Sequence, residues 1–145
     1  MSRAAIRTWL VRWLYAAAVA HLLVGVLLPW IAGADFLNWY HRGVAAAFWP
    51  GTAPAAAIAQ QAWWMALFGP TVQTVGLWMI ALVHLAERRR DAAAWAWLLA
   101  GIVVWAPQDI FVSLRAGVWP NVWLDCFAVA SMVPPLLWLW RADRA

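Results

Sequence analysis

The sequence has no lysine, a single cysteine and few charges of any kind. The lone Cys126 excludes an intrachain disulfide and any thiolate cluster, and it is most simply a small packing residue. Charged residues make up 11% of the chain, where a soluble domain carries about a quarter, and hydrophobic residues make up 67%. That balance excludes an ordinary soluble domain and describes a small membrane protein, with room in 145 residues for one domain. Also missing are a glycine loop for phosphate, a Cys-x-x-Cys pair, a nucleophile motif with a base partner, an internal repeat and a heptad pattern. The sequence therefore implies no cofactor.

The ten basic residues are all arginine, and their positions matter more than the net charge of +4. Arg3, Arg7 and Arg12 precede the first apolar run, Arg88, Arg89 and Arg90 separate the second from the third, and Arg141 and Arg144 follow the last. Only Arg42 and Arg115 fall on the other side. This is the positive-inside pattern for four spans with both termini in the cytoplasm, and it removes the motive for a nucleic-acid reading. Fifteen tryptophans, among them Trp9, Trp13, Trp30, Trp63, Trp64, Trp119, Trp123, Trp138 and Trp140, gather near the ends of the runs. They read as interfacial belts, with a ligand-lining stripe as the alternative.

Twenty-two residues without a formal charge lie between Arg12 and Asp35. At roughly 1.5 Å per residue they cross a hydrocarbon layer about 30 Å thick. The first span is thus 13–33. Its Arg-rich start and the small residues Ala32 to Ala34 also imitate a secretory signal, but the apolar region is longer than a usual signal core and contains His21 and Pro29. The remaining spans are 62–85, 92–114 and 119–140. A short helix over about 36–48 is expected to lie flat at the outer surface, followed by the turn "WPGTAP". "RAGVWPN" forces the third and fourth spans to be antiparallel neighbours. Each span contains proline (Pro29, Pro70, Pro107, and Pro134 with Pro135), so kinks are expected, with carbonyls freed by proline bonded by neighbouring helices. The fold class is an all-α, polytopic transmembrane four-helix bundle with a short interfacial helix in the first outer loop.

Ala66, Gly69, Gln73 and Gly76 form one small, polar stripe on the second span, His21 and Gly25 share a face of the first, and Asn121, Asp125, Ala128 and Met132 share a face of the fourth. Small residues allow close helix approach, the Gln73 amide can bond across the contact, and His21 can bond across to Gln73 or a threonine. Because the chain reverses between them, Asp109 and Asp125 lie at similar depth. With Gln108 and Asn121 they can form a polar layer beneath the outer turn that carries Arg115. His21 and Gln73 lie deeper.

A carboxylate in lipid costs roughly 2.5–3.5 kcal/mol on insertion scales, which makes an intramembrane acid a candidate site. Such a pair can share a proton, act as acid and base, or hold a cation. The structural alternative is that Asp109 bonds backbone or Arg115 and that Asp125 reaches interfacial water. Bis-histidine haem ligation is excluded because His21, His41 and His84 fall at different depths, and no zinc or copper ligand set is present.

"AHLLVG" (Ala20 to Gly25), "WWMALFGPTVQT" (Trp63 to Thr74), "WAPQDIFVSL" (Trp105 to Leu114) and "SMVPPLLWL" (Ser131 to Leu139) resemble segments of small four-span proteobacterial inner-membrane proteins, some loosely labelled "cell division protein". The layout is also similar to DoxX-like proteins, a likeness of architecture that is associated with redox contexts. The first resemblance implies a multi-pass inner-membrane location and carries no catalytic residues. The leading expectation is a component without catalysis of its own, acting through a membrane-protein partner or second copy, or by holding a lipid-like or quinone-like ligand. The alternative is an intramembrane enzyme or proton-coupled carrier using Asp109 and Asp125, with His21 and Gln73 deeper along the path.

Overall fold

The computed structural model describes residues 2–144. The described residues form five helices, α1 (Arg3–Ile31), α2 (Asn38–Phe48), α3 (Ala55–Arg89), α4 (Ala92–Ala116) and α5 (Trp119–Arg144), with a 3-10 turn at Asp35–Leu37 leading into α2. All but α2 are long and apolar enough to cross a membrane. The connections follow from local chemistry. Ser2 Oγ accepts from the Ala5 N–H to cap α1, and Asp91 accepts from the Ala93 N–H to start α4 one residue after Arg90, at φ 52°, has ended α3. Gly117, at φ 73°, closes α4 with the Val118 N–H on the Ser113 carbonyl and its own N–H on Leu114, so α5 turns back at once.

The helices pack as two pairs. α1 lies chiefly along α3, and α4 chiefly along α5. The first pair is held at glycine. Side-chain space is absent at Gly76, where a β-carbon would meet the Leu22 backbone at 2.5 Å, and at Gly69, where it would meet the Gly25 carbonyl oxygen at 2.8 Å. A β-carbon on Gly25 would run into the Gln73 backbone. The small stripe is therefore the contact, but not through the amide: the Gln73 side chain is exposed, and His21 Nδ1 lies 2.9 Å from the Ala17 carbonyl one turn back. Backbone packing has taken the place that the sequence reading gave to a His21–Gln73 bond, because at glycine separation the chains are too close for the amide to lie between them.

The pairs share one apolar cluster, in the arginine-rich half. Leu10, Val11 and Leu14 of α1, Val83 and Ala86 of α3, Ala94, Trp95 and Leu98 of α4, and Met132, Leu136 and Leu139 of α5 meet there. Asp143 fastens its rim. It accepts from Arg7 at 3.0 Å, Arg90 at 3.3 Å and the Trp95 indole at 2.9 Å, so one carboxylate, 2% exposed, joins α1, the α3–α4 turn, α4 and α5. The Trp13 indole donates to the Ser131 carbonyl, which Pro135 leaves without its usual helical donor. Trp95 is fully buried, whereas Trp30, Trp63, Trp64, Trp119 and Trp123 point outward.

Candidate functional site

In the half away from the arginines, a cavity of about 860 Å³ lies between the pairs. α2 forms one edge with Tyr40, Val44, Ala45 and Phe48; α3 gives a wall from Ala57 to Val72; α1 contributes Leu28; and Asp109, Asn121, Leu124 and Asp125 face it from α4 and α5. Two side-chain contacts position α2. The His41 ring, buried within it, bonds the Ala32 carbonyl through Nε2 at 2.7 Å, and the Tyr40 hydroxyl donates to Asn121 Oδ1 at 2.7 Å. Gly43 lets the helix sit on Pro120, whose Cγ would be 2.5 Å from an added β-carbon.

The two aspartates differ. Both oxygens of Asp109 are occupied, Oδ2 by the Trp105 indole at 3.0 Å and Oδ1 by the Ser113 hydroxyl at 3.4 Å, all on α4. Asp125 occupies the buried stripe of α5 with Val122, Met132, Leu136 and Leu139, is 6% exposed, and its Oδ2 has no hydrogen-bond partner. Across the cavity, the buried Nε2 of Gln61 is also without a partner. Burial, then the charges of Asp109 and Asp125, push the Tyr40 phenol above its ordinary range against the opposing Asn121 bond, so the hydroxyl serves as a neutral donor.

Of the residues singled out in the sequence, Asp109, Asn121 and Asp125 line this cavity. Gln108, His21, Gln73 and Arg115 do not. The Gln108 amide donates to the Val104 carbonyl of its own helix, and Arg115 lies over the Phe111 ring at 5.7 Å instead of pairing with Asp109. Both take up partners one turn away on α4, where long side chains find them at little entropic expense. Tyr40, Gln60 and Gln61 were missed. They fall in a stretch that reads as a loop and interfacial helix, but α3 begins at Ala55 and carries both glutamines to the cavity.

No family model, curated protein or solved structure matches this chain. The site has to be read from its own chemistry. Its wall contains no His, Ser, Thr, Cys, Lys or Arg. Among the described residues, no three of His, Cys, Asp and Glu gather closely enough to hold a metal ion. A second groove, of about 510 Å³ between α1 and α5 near the arginine-rich end, is lined by Trp9, Trp13, Pro134, Pro135 and Trp138, and its one hydroxyl, Ser131, bonds the Ala128 carbonyl. Of the three buried side-chain atoms without a partner among the described residues, the cavity near Asp125 holds two, Asp125 Oδ2 and Gln61 Nε2; the third is His41 Nδ1.

Proposed function

We propose that the protein is a multi-pass component of a bacterial inner membrane that holds an amphipathic, membrane-derived ligand in the cavity between its helix pairs, without catalysis of its own. The observation that carries this reading is the pair of buried, unpartnered polar atoms, Asp125 Oδ2 and Gln61 Nε2, in one largely apolar cavity. Buried polar groups are rarely left unpaired in proteins, and a ligand that bonds both would remove the penalty. The volume falls in the usual range for small-molecule sites, about 300–1,000 Å³. The bacterial inner membrane is proposed from the arginine distribution and the resemblance to small proteobacterial four-span proteins, with the arginine-rich end in the cytoplasm.

The enzyme or carrier alternative draws on the same free carboxyl oxygen. The wall favours binding, because its lining holds no His, Ser, Thr or Cys, its one hydroxyl, Tyr40, is engaged with Asn121, and Ser113, which bonds Asp109, lies outside the lining. Native mass spectrometry of the protein, released from its own membrane in mild detergent, tests the binding reading. A stoichiometric small-molecule adduct is expected on the wild type and is expected to be lost when the cavity is filled by Val72→Trp. Bare protein in both samples would overturn the reading.

A further inference from the structure

The polar groups of the cavity specify a head group. We propose that the ligand is an ammonium-bearing amphiphile whose charged nitrogen binds Asp125, with its apolar body along the α3 wall; this rests on the cavity being a ligand site. The first ground is charge. Two carboxyl side chains face the cavity, no basic side chain does, and neither aspartate belongs to a salt bridge: those of the described residues all converge on Asp143. The nearest cations in sequence do not redress this, since Arg42 is exposed outside the cavity lining and Arg115 is engaged with Phe111.

The second ground is hydrogen-bond valence. Asp109 has a donor on each oxygen and Asn121 Oδ1 takes the Tyr40 hydroxyl, whereas Asp125 Oδ2 is buried with no hydrogen-bond partner. A carboxylate only accepts, while an ammonium group only donates and carries the balancing charge. A fatty acid would add a third carboxyl group with no cation to balance it, and a quinone offers only acceptors, which would serve Gln61 but bring no charge to match an ionised Asp125. An amine that also carries a carbonyl or ester oxygen offers N–H groups for Asp125 and an acceptor for the Gln61 amide. The third ground is shape. Leu28, Phe68, Val72 and Leu124 supply apolar surface in the same lining, as an acyl or alkyl chain requires.

The chemistry is shared by an aminophospholipid of the surrounding bilayer and by a free long-chain amine. The full-length protein in phosphatidylcholine nanodiscs would be labelled with a photoreactive hexadecylamine, and labelling at cavity residues competed with unlabelled hexadecylamine, phosphatidylethanolamine, hexadecanol, palmitate and a long-chain benzoquinone. Competition by amine but not by palmitate or benzoquinone is expected, together with a loss of about tenfold or more in amine affinity for Asp125→Asn while hexadecanol competition is retained. Added competition by phosphatidylethanolamine would make the membrane the source; competition by the free amine alone would exclude it.

Equal competition by amine, alcohol and benzoquinone would overturn the head-group assignment and leave the cavity reading standing. Absence of cavity labelling by the amine, accompanied by labelling with a photoreactive benzoquinone, would do the same. Absence of cavity labelling by either probe would overturn both. The competition series needs only the wild-type chain, so it decides the matter even if Asp125→Asn does not fold.

Discussion

Three aspartates illustrate how little of a residue's role its type reveals. Asp109, Asp125 and Asp143 all lie near or within apolar helices, yet one is satisfied by its own helix, one is unpaired beside a cavity, and one collects donors from three other places in the chain. The sequence marks the first two because they interrupt apolar runs. It hides the third because Asp143 stands among the terminal arginines, where a charge needs no explanation. Removing it has a defined consequence. Asp143→Ala strands Arg7, whose side chain is 12% exposed, and deprives the Trp95 indole of its acceptor. Breaking a buried pair from one side costs about 3–5 kcal/mol, and the loss here is expected toward the lower end because the pair lies at the rim beside the exposed Arg90. Arg90, 64% exposed, adds little. Thermal unfolding in detergent should show a clearly lower midpoint for Asp143→Ala and a smaller drop for Asp143→Asn, which keeps an acceptor for the indole. An unchanged midpoint for Asp143→Ala would show that the rim contributes nothing to holding the pairs together.

At the scale of elements, the four long helices are legible in the sequence because length and apolarity suffice to announce them. Their facing surfaces are not. In a soluble helix one stripe is apolar and the rest polar, whereas a helix in lipid is apolar on every side, so the usual periodic signal vanishes. On α3 the buried residues Gly69, Gly76, Val83 and Ala86 recur at seven, seven and three, a repeat that disappears among equally apolar neighbours until the contacts are known. Small residues are the surviving signal, and they locate the α1–α3 contact correctly. Gly76→Ala is expected to force the two backbones apart and to destabilise by about 1–3 kcal/mol, as overpacking does. Gly101→Ala is the internal control. Nothing lies within 4 Å of a β-carbon there, so the change should be neutral or stabilising by up to about 1 kcal/mol. Equal unfolding midpoints for the two variants would contradict the close packing of α1 on α3.

For the whole molecule, the decisive feature is that the two helix pairs share their core in one half and leave a cavity in the other. Half of the candidate polar layer could be read in advance, since the reversal at Gly117 lets Asp109 and Asp125 line one cavity. The other wall could not, because it depends on α3 extending to Ala55 and on α2 being drawn onto α5 through Gly43 and Tyr40. Those are contacts between segments far apart in the chain, made by residues whose types are ordinary in a loop. His41 belongs with them, since it reads as an outer-loop histidine and is buried against the end of α1. The central claim is that this cavity selects a ligand from the membrane. Its most direct test is photo-cross-linking in cells from a benzoylphenylalanine at Met65, which lines the cavity, and at Val104, which is exposed and does not. Intact-mass analysis should find one discrete adduct at position 65 and the bulk lipid distribution at 104; the same bulk distribution at both would contradict the account.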